Sequence, residues 1–290
     1  SKLLCGIVWS LGTKVKEALE VQMNNRVLTV ITLFCLTTIC SNWLLASPIK
    51  LRPLKRRTLV QSWQGPQRGK VKVAMFDADS TLRVTRSGAP CANHPRDVIL
   101  LPLVAERIKR LADEGYVIAV LSNQGGVGRG FIKLETAAAG LRRTCQLLNR
   151  AGAPVHYYDF AEAYDENRKP KPGMAYLIQR AVSKRTGLAV DWVNSFMVGD
   201  SGWKKKKDVE PDGTPGKDHS NSDRGFAESV REKLAGGQGM KFHHPRNFFG
   251  WNKYGVTNFH KLKQVKDFIR KYPHYNPGVN YLGMRKRRKR

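Results

Sequence analysis

The sequence predicts an α/β fold built on a doubly wound parallel sheet. Short apolar runs alternate with longer amphipathic stretches, and polar residues or glycine follow each apolar run. In chain order, the predicted strands and helices span 72–76, 104–114, 116–121, 134–150, 173–186 and 195–198. Repeated strand, loop and helix units form parallel sheets covered by helices, and their ligands bind at the carboxyl ends of the strands.

The three predicted strands are short apolar runs, which suits strands buried on both faces. The first, KVAMF at 72–76, leads into acidic residues, and the second, YVIAVL at 116–121, leads into the polar turn Ser-Asn-Gln-Gly-Gly. The third, SFMV at 195–198, runs into Gly199-Asp200. Polar side chains therefore follow each predicted strand at the edge where a ligand is expected.

The predicted helices are delimited by residues that commonly end helices. Apolar residues recur at helical spacing in 104–114, and that helix stops at Gly115. The helix at 134–150 ends before Gly152, and a third helix covers 173–186. Together with the three strands, these helices give the alternating order of a doubly wound fold.

Positive charge dominates the composition. The 290 residues include 51 Lys and Arg against 23 Asp and Glu, for a net charge of +28. Residues 1–70 hold 11 basic and 2 acidic residues, 71–203 hold 18 and 13, and 204–290 hold 22 and 8. The excess lies towards the two ends, as in a globular domain tethered to nucleic-acid phosphates or to an anionic membrane. With 41% hydrophobic residues, the chain is not a disordered basic tail.

Composition divides the chain into a basic N-terminal extension (1–70), a globular domain (71–251) and a basic, aromatic C-terminal extension (252–290). The first extension contains twenty uncharged residues, 27–46. The segment is long enough to span a bilayer. Two other interpretations stay open: a helix buried against a partner, or what remains of an organelle-targeting segment. The scarcity of acids in 1–26 is compatible with mitochondrial import. A mitochondrial location is favoured, and a nuclear or membrane-anchored one stays open.

Two basic runs predict a polyanionic partner. Four lysines at 204–207 follow closely on Asp200, and six cations occupy 285–290. Both runs suit contacts with the phosphates of DNA or RNA, and the second also matches a nuclear-import signal. Between them, aromatic and aliphatic residues recur at helical spacing from Phe259 to Tyr272, a pattern that more often indicates packing than base stacking.

Acidic residues after the first predicted strand give the strongest functional signal. Asp77 and Asp79 are two residues apart in a turn and can converge on one divalent cation, one through its side chain and the other through its backbone carbonyl. Ser122, Lys169 and Asp200 follow at later positions, in a chain order that suits a single site. The sequence therefore predicts that these five residues form one site with a divalent cation.

The globular domain resembles the haloacid-dehalogenase (HAD) superfamily of aspartate-nucleophile phosphatases and, within it, the 3'-phosphatase domain of the polynucleotide kinase 3'-phosphatase family. The motifs that carry the resemblance are FDADSTL at 76–82, SNQGGVGRG at 122–130, RKP at 168–170, VGD at 198–200 and KDHSNSDRGFA at 217–227. A late pair, Phe248-Phe249, adds to it, whereas Ser80 stands where the family usually has glycine. Sugar-bisphosphate and histidinol-phosphate phosphatases share some of these motifs, but their cysteine cluster is absent from 157–167, which favours the nucleic-acid branch.

The resemblance implies a magnesium-dependent phosphomonoesterase that acts on nucleic-acid 3'-phosphate ends through an aspartyl-phosphate. Asp77 is the implied nucleophile, and Asp79 is the implied general acid and base. Ser122 and Lys169 would bind the phosphoryl oxygens. Phosphate or substrate binding is further assigned to Thr81, Asn123, Arg129, Lys204, Lys205 and Arg224.

The implied cofactor is Mg²⁺. Its ligands would be Asp77, Asp79 and Asp200, with Asp218 and Asp223 as supporting contacts. The intervals between the motifs are filled by predicted strands and helices, so we expect no large cap domain and an open active site.

Other functions stay open. A phosphatase-like subunit of a large ribonucleoprotein, such as a mitochondrial ribosome, would bind RNA through the basic arms. A membrane-anchored phosphatase would need 27–46 to span a bilayer. A kinase half is not expected, because the P-loop pattern GxxxxGK[ST] does not occur in the sequence.

Overall fold

The computed structural model describes residues 55–60 and 63–275. Its strands are β1 (Lys70–Val71), β2 (Val73–Phe76), β3 (Arg83–Thr85), β4 (Val98–Leu100), β5 (Val117–Asn123), β6 (Tyr157–Ala161), β7 (Ala189–Val190), β8 (Phe196–Val198) and β9 (Lys241–His243). Its helices are α1 (Val104–Asp113), α2 (Leu134–Arg150), α3 (Gly173–Thr186), α4 (Ser222–Leu234), α5 (Pro245–Phe248) and α6 (Leu262–Lys271). Single 3₁₀ turns occur at Pro95–Asp97, Trp251–Tyr254 and Pro273–Tyr275.

Five strands form the central sheet in the spatial order β6-β5-β2-β8-β9, and every neighbouring pair is parallel. The chain starts at the central strand β2, adds β5 and β6 on one side, and then returns to add β8 and β9 on the other. This order is doubly wound, so the predicted fold class is confirmed. The reversal places a crevice beside the carboxyl end of β2.

Alternate residues of the central strands point to opposite faces of the sheet, and both faces are buried. On one face Phe76 and Val120 pack in a cluster that includes Leu141 of α2. On the other, Met75 packs in a cluster with Ile178 of α3. Continuous apolar strands are expected where helices cover both faces, because no side of such a sheet meets water.

The compact unit is larger than the domain 71–251 that composition suggested. Backbone N–H groups of Arg57 and Val60 donate to the carbonyls of Tyr158 and His156, both at 3.0 Å, so the segment 55–60 lies along β6. On the C-terminal side, Phe259, Val265 and Phe268 belong to the buried core. Val265 and Phe268 form the buried face of α6. The apolar residues that recur at helical spacing from Phe259 to Tyr272 therefore include core residues, as the packing interpretation predicts.

Two features of the sequence lie outside the described residues. They are the uncharged segment 27–46 and the basic terminal run 285–290. Within 55–60 and 63–275, no helix combines the length and apolar character needed to cross a membrane. The loops between β5 and α2 and between β6 and α3 hold no additional domain, in agreement with the expected absence of a large cap.

Candidate active site

A cleft of about 790 Å³ opens at the carboxyl ends of the central strands. Its wall contains Asp77 and Asp79 from the turn after β2, Ser122 from the end of β5, Lys169 from the loop before α3, and Asp200 from the loop after β8. The five residues that the sequence predicted to converge therefore lie in one cleft. They meet because β5, β2 and β8 are neighbours and end at the same edge of the sheet.

Lys169 is the electrostatic centre of the site. Its Nζ lies 2.6 Å from Asp77 Oδ1 and 2.7 Å from Asp223 Oδ1, and it also donates to the carbonyl of Leu121 at 2.8 Å. The side chain is only 1% exposed. A buried ammonium with two carboxylate partners is held firmly in place, since losing either partner would leave an uncompensated charge.

Three carboxylates face one another beside this lysine. Oxygens of Asp77, Asp200 and Asp223 lie within 4.8 Å of one another. Gly199 permits this arrangement, because a Cβ at that position would lie 2.2 Å from the nearest Asp223 carboxylate oxygen. The sequence interpretation gave Asp223 only a supporting role, whereas the structure places it in the cluster itself.

Burial and mutual repulsion set the electrostatics of the cluster. Burial, together with the charges of Asp223 and Asp79, raises the pKa of Asp77 to about 7, although Lys169 opposes the shift. Burial, with Asp77 and Asp223 nearby, raises the pKa of Asp200 well above its ordinary value. Burial would lower the pKa of Lys169, but Asp223 and Asp77 outweigh it and raise that pKa to about 12.

The donor set fits a divalent cation. When ionised, Asp77, Asp200 and Asp223 carry three negative charges, and Lys169 returns one positive charge, which leaves an excess of two. Carboxylate oxygens are the ligands that Mg²⁺ prefers. The side chain of Asp79, a predicted ligand through its backbone carbonyl, turns away from this cluster towards other partners.

Those partners are Arg83 and Gln124. Arg83 holds the Asp79 carboxylate with two hydrogen bonds, from Nε to Oδ1 at 2.8 Å and from Nη2 to Oδ2 at 3.2 Å. Gln124 Nε2 donates to Asp79 Oδ2 at 3.0 Å and to Ser122 Oγ at 2.8 Å. Ser122 and Asp79 are thus linked through one amide, which fixes their relative positions.

Two residues assigned to phosphate binding make hydrogen bonds that position the site. The Asn123 side chain accepts from the Lys169 N–H at 3.0 Å and donates to the Lys169 carbonyl at 2.9 Å. Thr81 is fully buried, and its Oγ1 accepts from the Asp200 N–H at 3.1 Å. Each therefore fixes the backbone of a neighbouring loop that carries a charged group of the cluster.

The remaining predicted residues divide between the cleft and its surroundings. Arg129 and Asp218 line the cleft, and Asp218 Oδ2 accepts from the N–H groups of Gly202 and Trp203, both at 2.8 Å. Burial would raise the pKa of Asp218, but these hydrogen bonds and the neighbouring His244 lower it below its usual range.

Lys204, Lys205 and Arg224 do not line the cleft. Arg224 Nη2 lies 3.2 Å from Asp208 Oδ1, so this arginine anchors the lysine-rich loop to α4. The side chains of Lys204 and Lys205 are exposed, and any contact with substrate would lie outside the cleft.

The predicted site residues omit several polar residues of the cleft, among them Arg83, Gln124 and Arg168. Gln124 and Arg168 stand inside motifs that carry the family resemblance, so their position was a usable signal. Arg83 had none, since a lone arginine within the run TLRVT reads as an exposed residue of a strand.

Comparison with known families identifies this constellation. The family model described as polynucleotide kinase 3 phosphatase matches residues 72–249. The chain belongs to this family. It is a family of HAD-type phosphatases, and the matched region contains all the charged cleft residues described above, from Asp77 to Asp223.

Individual relatives extend the comparison. The chain is 32% identical over 179 residues to a 20.8 kDa protein of Autographa californica nuclear polyhedrosis virus, covering 62% of this chain and 86% of the viral one. It is 25% identical to the polynucleotide 3'-phosphatase ZDP of Arabidopsis thaliana and 28% identical to the bifunctional polynucleotide phosphatase/kinase of Schizosaccharomyces pombe. These matches cover 61% and 69% of this chain, but only 24% and 42% of the plant and yeast proteins.

The chain is also similar to a solved structure. D,D-heptose 1,7-bisphosphate phosphatase from B. bronchiseptica, complexed with magnesium and phosphate, is 20% identical. The TM-score is 0.42, and the match covers 64% of this chain and all of the bacterial one.

Proposed function

We propose that the chain is a magnesium-dependent phosphomonoesterase that removes phosphate from the 3' ends of nucleic acids through an aspartyl-phosphate on Asp77. One observation carries the proposal: the carboxylate of Asp77, directly after β2, contacts Lys169 and lies within 4.8 Å of the carboxylates of Asp200 and Asp223, with Asp79 in the same turn. This arrangement supplies a nucleophile, a cation and a proton-transfer group within one cleft.

The first half of the reaction breaks the ester bond. An Asp77 oxygen attacks phosphorus, the bond between phosphorus and the 3' oxygen breaks, and Asp79 gives its proton to that oxygen, which leaves as a hydroxyl. The Lys169 ammonium, 2.6 Å from Asp77 Oδ1, offsets the negative charge that gathers as two anions approach.

The second half restores the enzyme. Asp79 takes a proton from water, whose oxygen attacks the same phosphorus, and the bond to Asp77 breaks to release inorganic phosphate. Arg83 and Gln124 hold Asp79 in the cleft through both steps. Asp77, Asp200 and Asp223 would hold the Mg²⁺ ion, which supplies charge neutralisation for the phosphoryl group.

A nucleic-acid substrate is supported by the family and by charge. Two relatives carry the name of a polynucleotide phosphatase, and the chain has a net charge of +28. The cleft is open, and no cap domain covers it in the described chain. A polymer end can enter such a cleft, whereas small metabolites are more often enclosed.

The test is phosphate release from 3'-phosphorylated DNA and RNA oligonucleotides in the presence of Mg²⁺. A 5'-phosphorylated oligonucleotide, a 3'-phosphorylated one with EDTA, and p-nitrophenyl phosphate complete the set of reactions. Among the oligonucleotides we expect release from 3' ends only. We expect p-nitrophenyl phosphate to be hydrolysed as well, and EDTA to abolish activity.

The decisive variant is Asp77→Asn, in which the amide cannot form the aspartyl-phosphate. We expect its turnover to fall by about a thousandfold or more on every substrate. Asp113→Asn, the same chemical change on exposed α1, should keep full activity. A folded Asp77→Asn protein that retained wild-type rates would rule out this mechanism, and release from 5' ends alone would rule out the proposed substrate.

A further inference from the structure

Two aromatic rings at the rim of the cleft stand out by their exposure. Most large apolar side chains in 63–275 are buried, but Phe131 is 79% exposed and Tyr164 is 67% exposed. Phe131 follows β5 and Tyr164 follows β6, so both loops leave the sheet at the edge that carries the active site. Aromatic rings held in water beside a binding cleft indicate a contact surface for a partner.

Each ring is paired with an arginine. The guanidinium carbon of Arg129 lies 5.3 Å from the centre of the Phe131 ring, and that of Arg168 lies 4.1 Å from the centre of the Tyr164 ring. Arg129, Phe131 and Arg168 line the cleft that contains Asp77. Tyr164 lies against Arg168 at the edge of this wall. We call the four residues Arg129, Phe131, Tyr164 and Arg168 the rim.

Arg168 has an unused hydrogen-bond donor. Its Nη1 is buried and has no hydrogen-bond partner among the described residues. Gly125 makes room for it, because a Cβ there would lie 2.7 Å from that nitrogen. A buried guanidinium nitrogen without a partner is costly, so the site is suited to an incoming anion such as a phosphate.

The two loops of the rim are joined before any ligand arrives. The Gln124 N–H donates to the Ala161 carbonyl, and the Gly128 N–H donates to the Glu162 carbonyl, both at 2.8 Å. Arg129 is fixed in turn by its Nε, which donates to the Gly125 carbonyl at 3.2 Å. A surface that is already ordered loses little entropy on binding.

We propose that the rim formed by Arg129, Phe131, Tyr164 and Arg168 stacks the unpaired bases next to the 3'-terminal phosphate and binds their phosphates. The inference rests on the proposed function and adds that the substrate end is single-stranded. Every nucleobase has a flat face that can stack on an aromatic ring, and arginine binds phosphate with two parallel donors. In a blunt duplex those faces are covered by neighbouring base pairs, so the rim selects an unpaired end.

The first experiment compares the double variant Phe131→Ala/Tyr164→Ala with the wild type. We expect kcat/KM on a single-stranded, 3'-phosphorylated oligonucleotide to fall by about 10- to 100-fold, since two stacked bases lose their platform. The rate on p-nitrophenyl phosphate, which has no base, should change by less than about twofold. Phe131→Tyr/Tyr164→Phe keeps both rings and should keep the wild-type rate.

Val209→Ala is the matched control for loss of exposed apolar surface, because Val209 is 62% exposed and does not line the cleft. It should leave both rates unchanged. A similar loss in this control would overturn the proposal, since the effect would then not belong to the rim.

The second experiment changes the substrate. The first substrate is an oligonucleotide that lacks the two bases next to the 3' phosphate. The wild type should hydrolyse it slowly, at about the rate of the double alanine variant on the intact oligonucleotide. A blunt duplex with the same 3' phosphate should also react slowly. Equal rates on all three substrates, from an enzyme that does release 3' phosphate, would overturn the rim while leaving the proposed function intact.

A different result would reject both. If p-nitrophenyl phosphate is hydrolysed in an Asp77-dependent manner but no oligonucleotide releases phosphate, the nucleic-acid substrate is wrong and the rim proposal falls with it. Release from a phosphoserine peptide that depends on Phe131 and Tyr164 would assign the rim to a protein partner and would also overturn it.

Discussion

At the residue scale, Ser80 shows how the chain tolerates a side chain inside the turn that carries Asp77 and Asp79. Its backbone has a φ of 57°, in the left-handed region that favours glycine. The turn still closes, because the Ser80 N–H donates to the Arg83 carbonyl at 2.8 Å. The serine that departs from the family pattern therefore places strain on the backbone but leaves the turn formed.

Replacing this serine by glycine should stabilise the protein. Ser80→Gly removes the strain of the left-handed backbone, which stabilises the folded state. Glycine also raises the conformational entropy of the unfolded chain, which offsets part of this gain, so we expect a net increase of about 0.5 kcal/mol in the free energy of unfolding. Chemical denaturation measures it. Ser80→Ala, which keeps a Cβ at the same φ, is the control, and an equal gain in that variant would contradict the explanation.

His156 gives the protein a pH dependence that is independent of the active site. It is 3% exposed, and its Nδ1 accepts from the Ile118 N–H at 2.9 Å. Burial lowers the pKa of His156 to about 4. The folded state therefore keeps the imidazole neutral where the unfolded chain, with a pKa near 6.5, binds a proton.

Stability should consequently fall as the pH drops from about 6.5 to about 4, by up to about 1.4 kcal/mol per pH unit from this group. His156→Asn keeps an acceptor for the Ile118 N–H and removes the titration, so its denaturation midpoint should vary less with pH over that range. The same change at exposed His219 should leave the wild-type slope. Equal slopes in all three proteins would show that His156 does not titrate in this way.

At the element scale, the segment 55–60 is part of the folded unit although its composition resembles a linker. Arg56 Nε lies 2.7 Å from Asp159 Oδ1, and Arg57 Nε lies 2.9 Å from Asp159 Oδ2. The Asp159 side chain is fully buried. The two arginines are thus the compensating charges for a carboxylate on the edge strand β6.

Removing both arginines should be strongly destabilising. Arg56→Gln/Arg57→Gln leaves the buried Asp159 carboxylate without a cation, and we expect a loss of about 3 kcal/mol in urea denaturation. Adding Asp159→Asn to that variant should restore part of the stability, because the uncompensated charge is gone. Arg68→Gln, at an exposed position, is the control. If the triple variant were no more stable than the double one, the pairing would not be the cause.

At the scale of the whole molecule, net charge should govern affinity for nucleic acid more than turnover. The run 285–290 contributes six cations that lie outside the described residues. If they bind phosphates, each should contribute about 0.7 to the slope of log affinity against log salt for a single strand. A role within a ribonucleoprotein, for which the same arms would bind RNA, stays a prediction.

A chain that ends at Tyr275 tests the contribution of this run. Measured by fluorescence anisotropy in the Asp77→Asn background, so that the substrate stays intact, its salt slope should be shallower by up to about four. Hydrolysis of p-nitrophenyl phosphate by the truncated wild type should match that of the full chain. An unchanged slope would mean that the last fifteen residues do not contact the strand.

The fold class, the strands β2, β5 and β8 and the helices α1, α2 and α3 could be predicted from the sequence, because buried strands and amphipathic helices impose their own periods on the chain. The strands β6 and β9 and the helix α4 were not predicted. The order of polar residues after the predicted strands also predicted that Asp77, Ser122, Lys169 and Asp200 meet at one edge of the sheet, where the structure places them. These are local patterns combined with one topological rule, and both can be read from linear order.

Only the tertiary structure determined which groups touch. It brought Asp223 into the carboxylate cluster, turned Asp79 towards Arg83, and made Asn123 a support for Lys169. It also placed the segment 55–60 on β6, although its composition resembles a linker. Side-chain direction and long-range pairing depend on which loops pack side by side in space. Linear order therefore determined which residues were predicted to form the site, while three-dimensional packing determined the contact that each one makes.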